Sequence, residues 1–133
     1  MSTLKVNTVQ HNTSGFNNVV QFTDGAGTQN GTLCRAWVNF NGTGTVAIRG
    51  SFNVSSITDN GTGDYTVNYT NSVSDSNCSI LATGGRNPDG TGGERLTSTY
   101  IDRYSASSMR VLNNETYSGG TLDPPAMSVA VFR

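Results

Sequence analysis

Residues 35–70, RAWVNFNGTGTVAIRGSFNVSSITDNGTGDYTVNYT, decide the fold. Short runs of alternating apolar and polar residues are cut twice by the tetrapeptide NGTG, at 41–44 and 60–63. A period of two places one set of side chains on a buried face and the other in water, the pattern of a half-buried strand. Asn-Gly supplies the positive φ angles that tight hairpins need. In DYTVNYT, Tyr65, Val67 and Tyr69 share one face and Asp64, Thr66, Asn68 and Thr70 the other. In TVAIR, Val46 and Ile48 face one way, Ala47 and Arg49 the other. The segment reads as a β-meander with strands near 34–40, 45–50, 51–58, 65–70 and 77–82. Trp37, the one tryptophan, is expected to anchor the core, with a sugar-stacking platform as the alternative.

Outward from the meander, both flanks also read as strand and turn. Residues 1–32 carry scattered apolar positions, Leu4, Val6, Val9, Phe16, Val19, Val20 and Phe22, among Asn, Thr and Gly. Strands are expected at 3–10 and 17–23, followed by a turn-rich link at 24–32, DGAGTQNGT. An arm this thin cannot cover its own apolar residues, so Leu4, Val6, Val9, Phe16, Val19 and Phe22 are candidates for oligomer or attachment contacts. Residues 33–133 are expected to form the knob. Beyond the meander lies a glycine-rich loop, GGRNPDGTGGER at 84–95, then strands at 96–104 and 108–113, a second loop at 113–125, and a last strand at 126–132. The stretch 104–112 is rich in Ser and lacks a 3.6-residue period, so it is read as strand and not helix. The expected class is all-β: a compact antiparallel β-sandwich or meander knob with an extended N-terminal arm, assembling as a trimer.

Composition narrows the function. Apolar residues make up 34% of 133 and charged ones only 13%, while Ser, Thr, Asn and Gly together are roughly half. Solubility at a net charge of −1 must come from hydroxyls and amides, as suits a surface buried largely against identical partners. Eight basic residues spread along the chain do not make the cluster that phosphate binding requires, so nucleic acid is not an expected partner. Apolar runs are too short to cross a bilayer as a helix, and the first residues carry no apolar signal region. Cys34 and Cys78 leave one possible bridge; in a reducing cytoplasm, small buried thiols are the expectation.

Catalytic and metal chemistry are thinly supplied. His11 is the single histidine and has no nucleophile arranged beside it. Glycoside hydrolysis needs two facing carboxylates; Asp102 with Glu94, Asp89 or Glu115 could be assembled into such a pair in three dimensions, but their spacing singles out none. DNGTGD at 59–64 has two carboxylates around glycines but lacks the alternating ligands and closing Glu of a calcium loop, so a hairpin turn is expected. No enzyme activity, cofactor or metal is expected, although three chains on an axis could gather an ion between Asp or Asn side chains. Sugar recognition needs an aromatic surface with planar amides and hydroxyls. Arg86, Asn87, Asp89, Arg95 and Tyr117, on or near the two late loops, are the candidate receptor contacts. Tyr100, Tyr104 and Arg103 lie close by; within a strand, the two tyrosines are expected to fill gaps between subunits.

The 35–70 pattern resembles the knob-type domain at the C-terminal end of bacteriophage tail-fibre and tail-tip proteins, marine cyanobacterial phages among them. The resemblance covers 34–82, roughly two-fifths of the chain, and the opening MSTLKVNTVQ resembles the short first strand of small phage fibre proteins. It implies a trimeric, non-enzymatic virion component with a compact β knob, and carries over no catalytic residue. Tail fibres place this domain after a long shaft, whereas about 30 residues precede it here. Two virion roles follow: a short tail fibre or tail-tip knob docked on a baseplate or larger fibre and touching host surface glycan, or a decoration knob on the capsid. A lectin-like carbohydrate-binding module is the third reading.

Overall fold

The computed structural model describes residues 19–24, 27–85, 97–116 and 119–133, with side chains from Leu33 onward. The chain divides into two compact units, Met1–Leu33 and Cys34–Arg133. In the first, β1 (Val19–Asp24) and β2 (Gly27–Thr32) pair antiparallel, from Val19 opposite Thr32 to Asp24 opposite Gly27. The segment expected as a link is therefore mostly strand. Its sequence, GTQNGT, has no apolar alternation to announce it, and backbone pairing with β1 alone makes it one. Val19 and Phe22 sit in β1, opposite Thr32 and Gln29. Leu4, Val6, Val9 and Phe16 lie outside the described residues.

The second unit holds β3 (Cys34–Asn41), β4 (Ala47–Phe52), β5 (Val54–Gly61), β6 (Asp64–Tyr69), β7 (Ser79–Gly85), β8 (Thr97–Tyr104), β9 (Ser108–Glu115) and β10 (Ala126–Phe132). They form two antiparallel four-stranded sheets, β4-β3-β10-β7 and β5-β6-β9-β8. This is the all-β antiparallel sandwich that the alternation predicts. Both NGTG segments make hairpins, β3–β4 and β5–β6, with positive φ at Gly44 (61°), Gly61 (132°) and Gly63 (67°). In the first turn the Asn41 amide donates to the carbonyls of Thr43 (2.6 Å) and Thr45 (3.2 Å) while its oxygen accepts from the Thr43 hydroxyl (2.8 Å).

The meander is not continuous. One residue, Asn53, stands between β4 and β5, and there the chain leaves one sheet for the other. Its φ of 56° is left-handed, a conformation that Asn tolerates because its short amide can bond locally. Here the amide donates to the carbonyls of Arg35 (2.9 Å) and Asn71 (3.0 Å) and accepts from the Asn71 N–H (2.8 Å).

Between the sheets, Ala36, Val38 and Phe40 of β3 and Met127, Val129 and Val131 of β10 face Tyr65, Val67 and Tyr69 of β6 and Met109 and Val111 of β9. Phe40 and Tyr65 meet edge to face at 5.2 Å. Trp37, expected in the core, is instead 42% exposed. It is out of phase with Ala36, Val38 and Phe40, so burying it would turn those three into water. Cys34 and Cys78 are both free and only partly buried; burial pushes the Cys78 thiol pKa up, which keeps it protonated.

One end of the sandwich is closed by polar groups. Asn113 is fully buried; its amide donates to the Leu122 carbonyl (2.8 Å) and accepts from the Thr99 hydroxyl (2.9 Å), which itself accepts from the Gly84 N–H (2.9 Å). The Asp123 carboxylate accepts from the Gly63 N–H (2.6 Å) and from the Tyr65 hydroxyl (2.7 Å). Burial, and then the carboxylate beside it, push the Tyr65 pKa far above the usual tyrosine value. These bonds seat the segment before β10 against β6, β9 and the β5–β6 turn.

Candidate functional site

Strand register builds two rows on the outer face of the sheet β4-β3-β10-β7. Phe52 lies opposite Trp37, Trp37 opposite Ala130, and Ala130 opposite Leu81, making an apolar row across all four strands. Two residues along, Gly50, Asn39, Ser128 and Thr83 make the next row, which is polar. A Cβ on Gly50 would lie 3.4 Å from Cη2 and 3.5 Å from Cζ3 of Trp37. The six-membered ring of the indole therefore lies over the bare glycine of β4, and its side chain stays 42% exposed.

Small residues on the central strand make this face concave. Ala130 and Ser128 form the floor of a groove of about 480 Å3, with Trp37 and Asn39 along one wall and Leu81 and Thr83 along the other. Two interstrand spacings, roughly 9.5 Å, separate the walls. Asn39 donates from Nδ2 to the Ser128 hydroxyl (2.9 Å), and its Oδ1 accepts no bond among the described residues. Among the described residues no titratable side chain lines the groove.

The outer face of the other sheet is polar and bonded to itself. Arg110 grips both carboxylate oxygens of Asp64, through Nε at 2.8 Å and through Nη2, and reaches Asp102 through Nη1 at 3.0 Å. That guanidinium holds the Asp64 carboxyl below the ordinary carboxylate range. Asn68 donates to Ser56 (3.1 Å) and Thr58 (3.0 Å), and Asn60 to Thr66 (2.9 Å). Asp102 is shared with Arg103 at 3.3 Å. Glu115 is opposite Thr97, five residues of strand and roughly 16 Å from Asp102, too far to flank one glycosidic bond.

Of the sequence candidates, Arg86, Asn87, Asp89, Arg95 and Tyr117 lie outside the described residues, as do His11, Glu94 and the loop at 86–96 that carries four of them. Tyr100 and Tyr104, expected to fill gaps between subunits, are 45% and 51% exposed in the single chain, on edge strand β8. In DNGTGD, Asp59 accepts from the Gly61 N–H (3.0 Å) and Asp64 is held by Arg110, so the segment is a hairpin turn. Among the described residues no three His, Cys, Asp or Glu side chains gather as a metal would require. The groove was missed from sequence. Its one local signal is the phase of β3, which turns Trp37 and Asn39 outward together.

No protein-family model matches the sequence, and no curated protein matches it. Among solved structures the chain is similar to the phiAB6 tailspike, determined in complex with three-repeated oligosaccharides of Acinetobacter baumannii surface polysaccharide, with a TM-score of 0.53 at 13% identity. The likeness covers 95% of this chain and 30% of that one. At that identity it is a likeness of fold: this chain shares an all-β architecture with a part of a phage tailspike about a third of its length.

Proposed function

We propose that this chain is a tail component of a tailed bacteriophage, a short tail fibre or tail-tip knob that contacts host surface polysaccharide and catalyses no reaction of its own. The fold likeness to a phage tailspike over 95% of the chain carries this reading. A near-neutral surface rich in hydroxyls and amides supports it, since such groups match the hydroxyls of a sugar polymer. We assign the knob to three chains, whose N-terminal segments dock on a baseplate or larger fibre through apolar residues such as Leu4, Val6, Val9, Phe16, Val19 and Phe22. Each site binds weakly, and repetition over three chains and many copies raises the effective affinity. The late-loop residues Arg86, Asn87, Asp89, Arg95 and Tyr117 remain part of this proposal as receptor contacts.

Immunogold electron microscopy of tailed particles whose genome carries this gene, with antibody against residues 34–133, tests the location. Gold at the tail is the expected result. Gold over the head would replace the reading with a capsid decoration protein, and unlabelled particles would remove the virion role and leave a carbohydrate-binding module.

A further inference from the structure

We propose that the groove between Trp37 and Leu81 seats a neutral sugar ring of a surface polysaccharide, stacked on the exposed face of the Trp37 indole. This rests on the glycan-contact reading above and places the contact on a sheet face, away from the late loops. A pyranose has an apolar C–H face bordered by hydroxyls. The groove offers the counterpart: an apolar row of Trp37, Ala130 and Leu81, and two residues along each strand, roughly 6.6 Å away, a polar row of Asn39, Ser128 and Thr83. The indole over Gly50 is braced on one side by backbone, so little side-chain freedom is lost when a ring stacks on the other. The Asn39 Oδ1, which accepts no bond among the described residues, faces a sugar hydroxyl as an acceptor while Ser128 holds its Nδ2 at 2.9 Å.

Other occupants fit less well. A charged sugar would find no ionisable side chain among the described lining residues to pair it. A wholly apolar ligand would leave the polar row without partners. A flat sheet from a second copy would touch the rims at Trp37, Phe52 and Leu81 and leave about 480 Å3 between them, a void that close-packed interfaces do not keep.

Trp37 is the one tryptophan, so its fluorescence reports this groove alone. The full chain is applied to an array of neutral and acidic bacterial surface polysaccharides, and oligosaccharides of the bound members are titrated while tryptophan emission is followed. Binding to neutral members, a shifted Trp37 emission, and affinity at least about tenfold weaker in Trp37→Ala support the proposal. Ser128→Tyr, which fills the floor from the solvent side, is expected to weaken binding as much while keeping the wild-type circular dichroism and melting temperature. Neutral-glycan binding that survives in both variants moves the contact elsewhere: the groove assignment falls and the polysaccharide reading stands. Binding confined to acidic members, or none at all, overturns the assignment, and the immunogold result then decides the virion reading separately. Concentration-dependent self-association in sedimentation velocity that Ser128→Tyr abolishes would give the groove to a second copy, and overturn it too.

Discussion

Replacing Asn113 by Asp should give a variant whose stability relative to wild type collapses above pH 4. The Asn113 side chain is completely buried, donating to the Leu122 carbonyl at 2.8 Å and accepting from the Thr99 hydroxyl at 2.9 Å. A protonated carboxyl has the same shape and the same one-donor, one-acceptor pattern, so below the ordinary Asp pKa of about 3.9 the change costs about 1 kcal/mol or less. An ionised carboxyl has no donor and sets a negative oxygen against the Leu122 carbonyl, with no cation among the groups bonded to Asn113 or Thr99. Burial of this kind raises a carboxyl pKa by roughly 3 units or more. A folded pKa raised above the unfolded one means that the variant keeps its full relative stability below about pH 3.9 and loses about 1.4 kcal/mol per pH unit above it, until the folded value is passed. The accumulated loss of about 4 kcal/mol near neutrality is a large share of the ~5–15 kcal/mol that holds a domain together. Urea denaturation of wild type and variant from about pH 4 to pH 8, compared at each pH, measures it. Asn113→Ala serves as the control, destabilised by roughly 2–4 kcal/mol at every pH because it orphans both partners. A wild-type-minus-variant difference that stays flat for Asn113→Asp would refute the reasoning, since the site would then be open to water or free to rearrange.

Three further outcomes are expected. Asn53→Ala should destabilise by roughly 2–3 kcal/mol in urea, through three lost amide bonds and a left-handed φ of 56°, and Asn53→Gly should recover about 1 kcal/mol of it; equal losses would mean that the backbone carries no strain there. Spectrophotometric titration should leave Tyr65 and Tyr69 protonated above the ordinary tyrosine value of 10, since burial raises both, Tyr69 to about 12. Because those folded values lie above the unfolded one, their stabilisation is intact below about pH 10 and is lost as pH rises past it. Asp64→Asn should be less stable than wild type at neutral pH and equal to it in acid: the Arg110 bond lowers the folded pKa of Asp64, so its contribution is present above the ordinary 3.8 and disappears as pH falls through the folded value. A difference that persists in acid would show that Asp64 acts through packing and not through its charge.

Hairpins and strands were legible wherever the signal is local. The two NGTG turns, the inward set of β6 and the span of β10 follow from dihedral preference and a period of two, which act over a few residues. β2 was not legible, because its strand character comes from β1 and not from its own side chains. The passage from β4 to β5 through Asn53 reads in sequence as continued meander, since one Asn between Phe52 and Val54 looks alike whether the chain stays in its sheet or leaves it.

The sequence by itself determined the class: all-β, with tight Asn-Gly hairpins, a small apolar core and a neutral surface of hydroxyls and amides. Trp37 shows where that ends. Its size suggested burial, yet the phase shared by Ala36, Val38 and Phe40 sends it outward, and only the pairing of β10 between β3 and β7 lines it up with Ala130 and Leu81. Asn39, Ser128 and Thr83 come together in the same way, from positions up to 89 apart in the chain. Turns are chosen by neighbours in sequence, whereas a groove is chosen by register between strands distant in sequence. That register is set by burying the opposite face of each strand, and so it belongs to the tertiary structure alone.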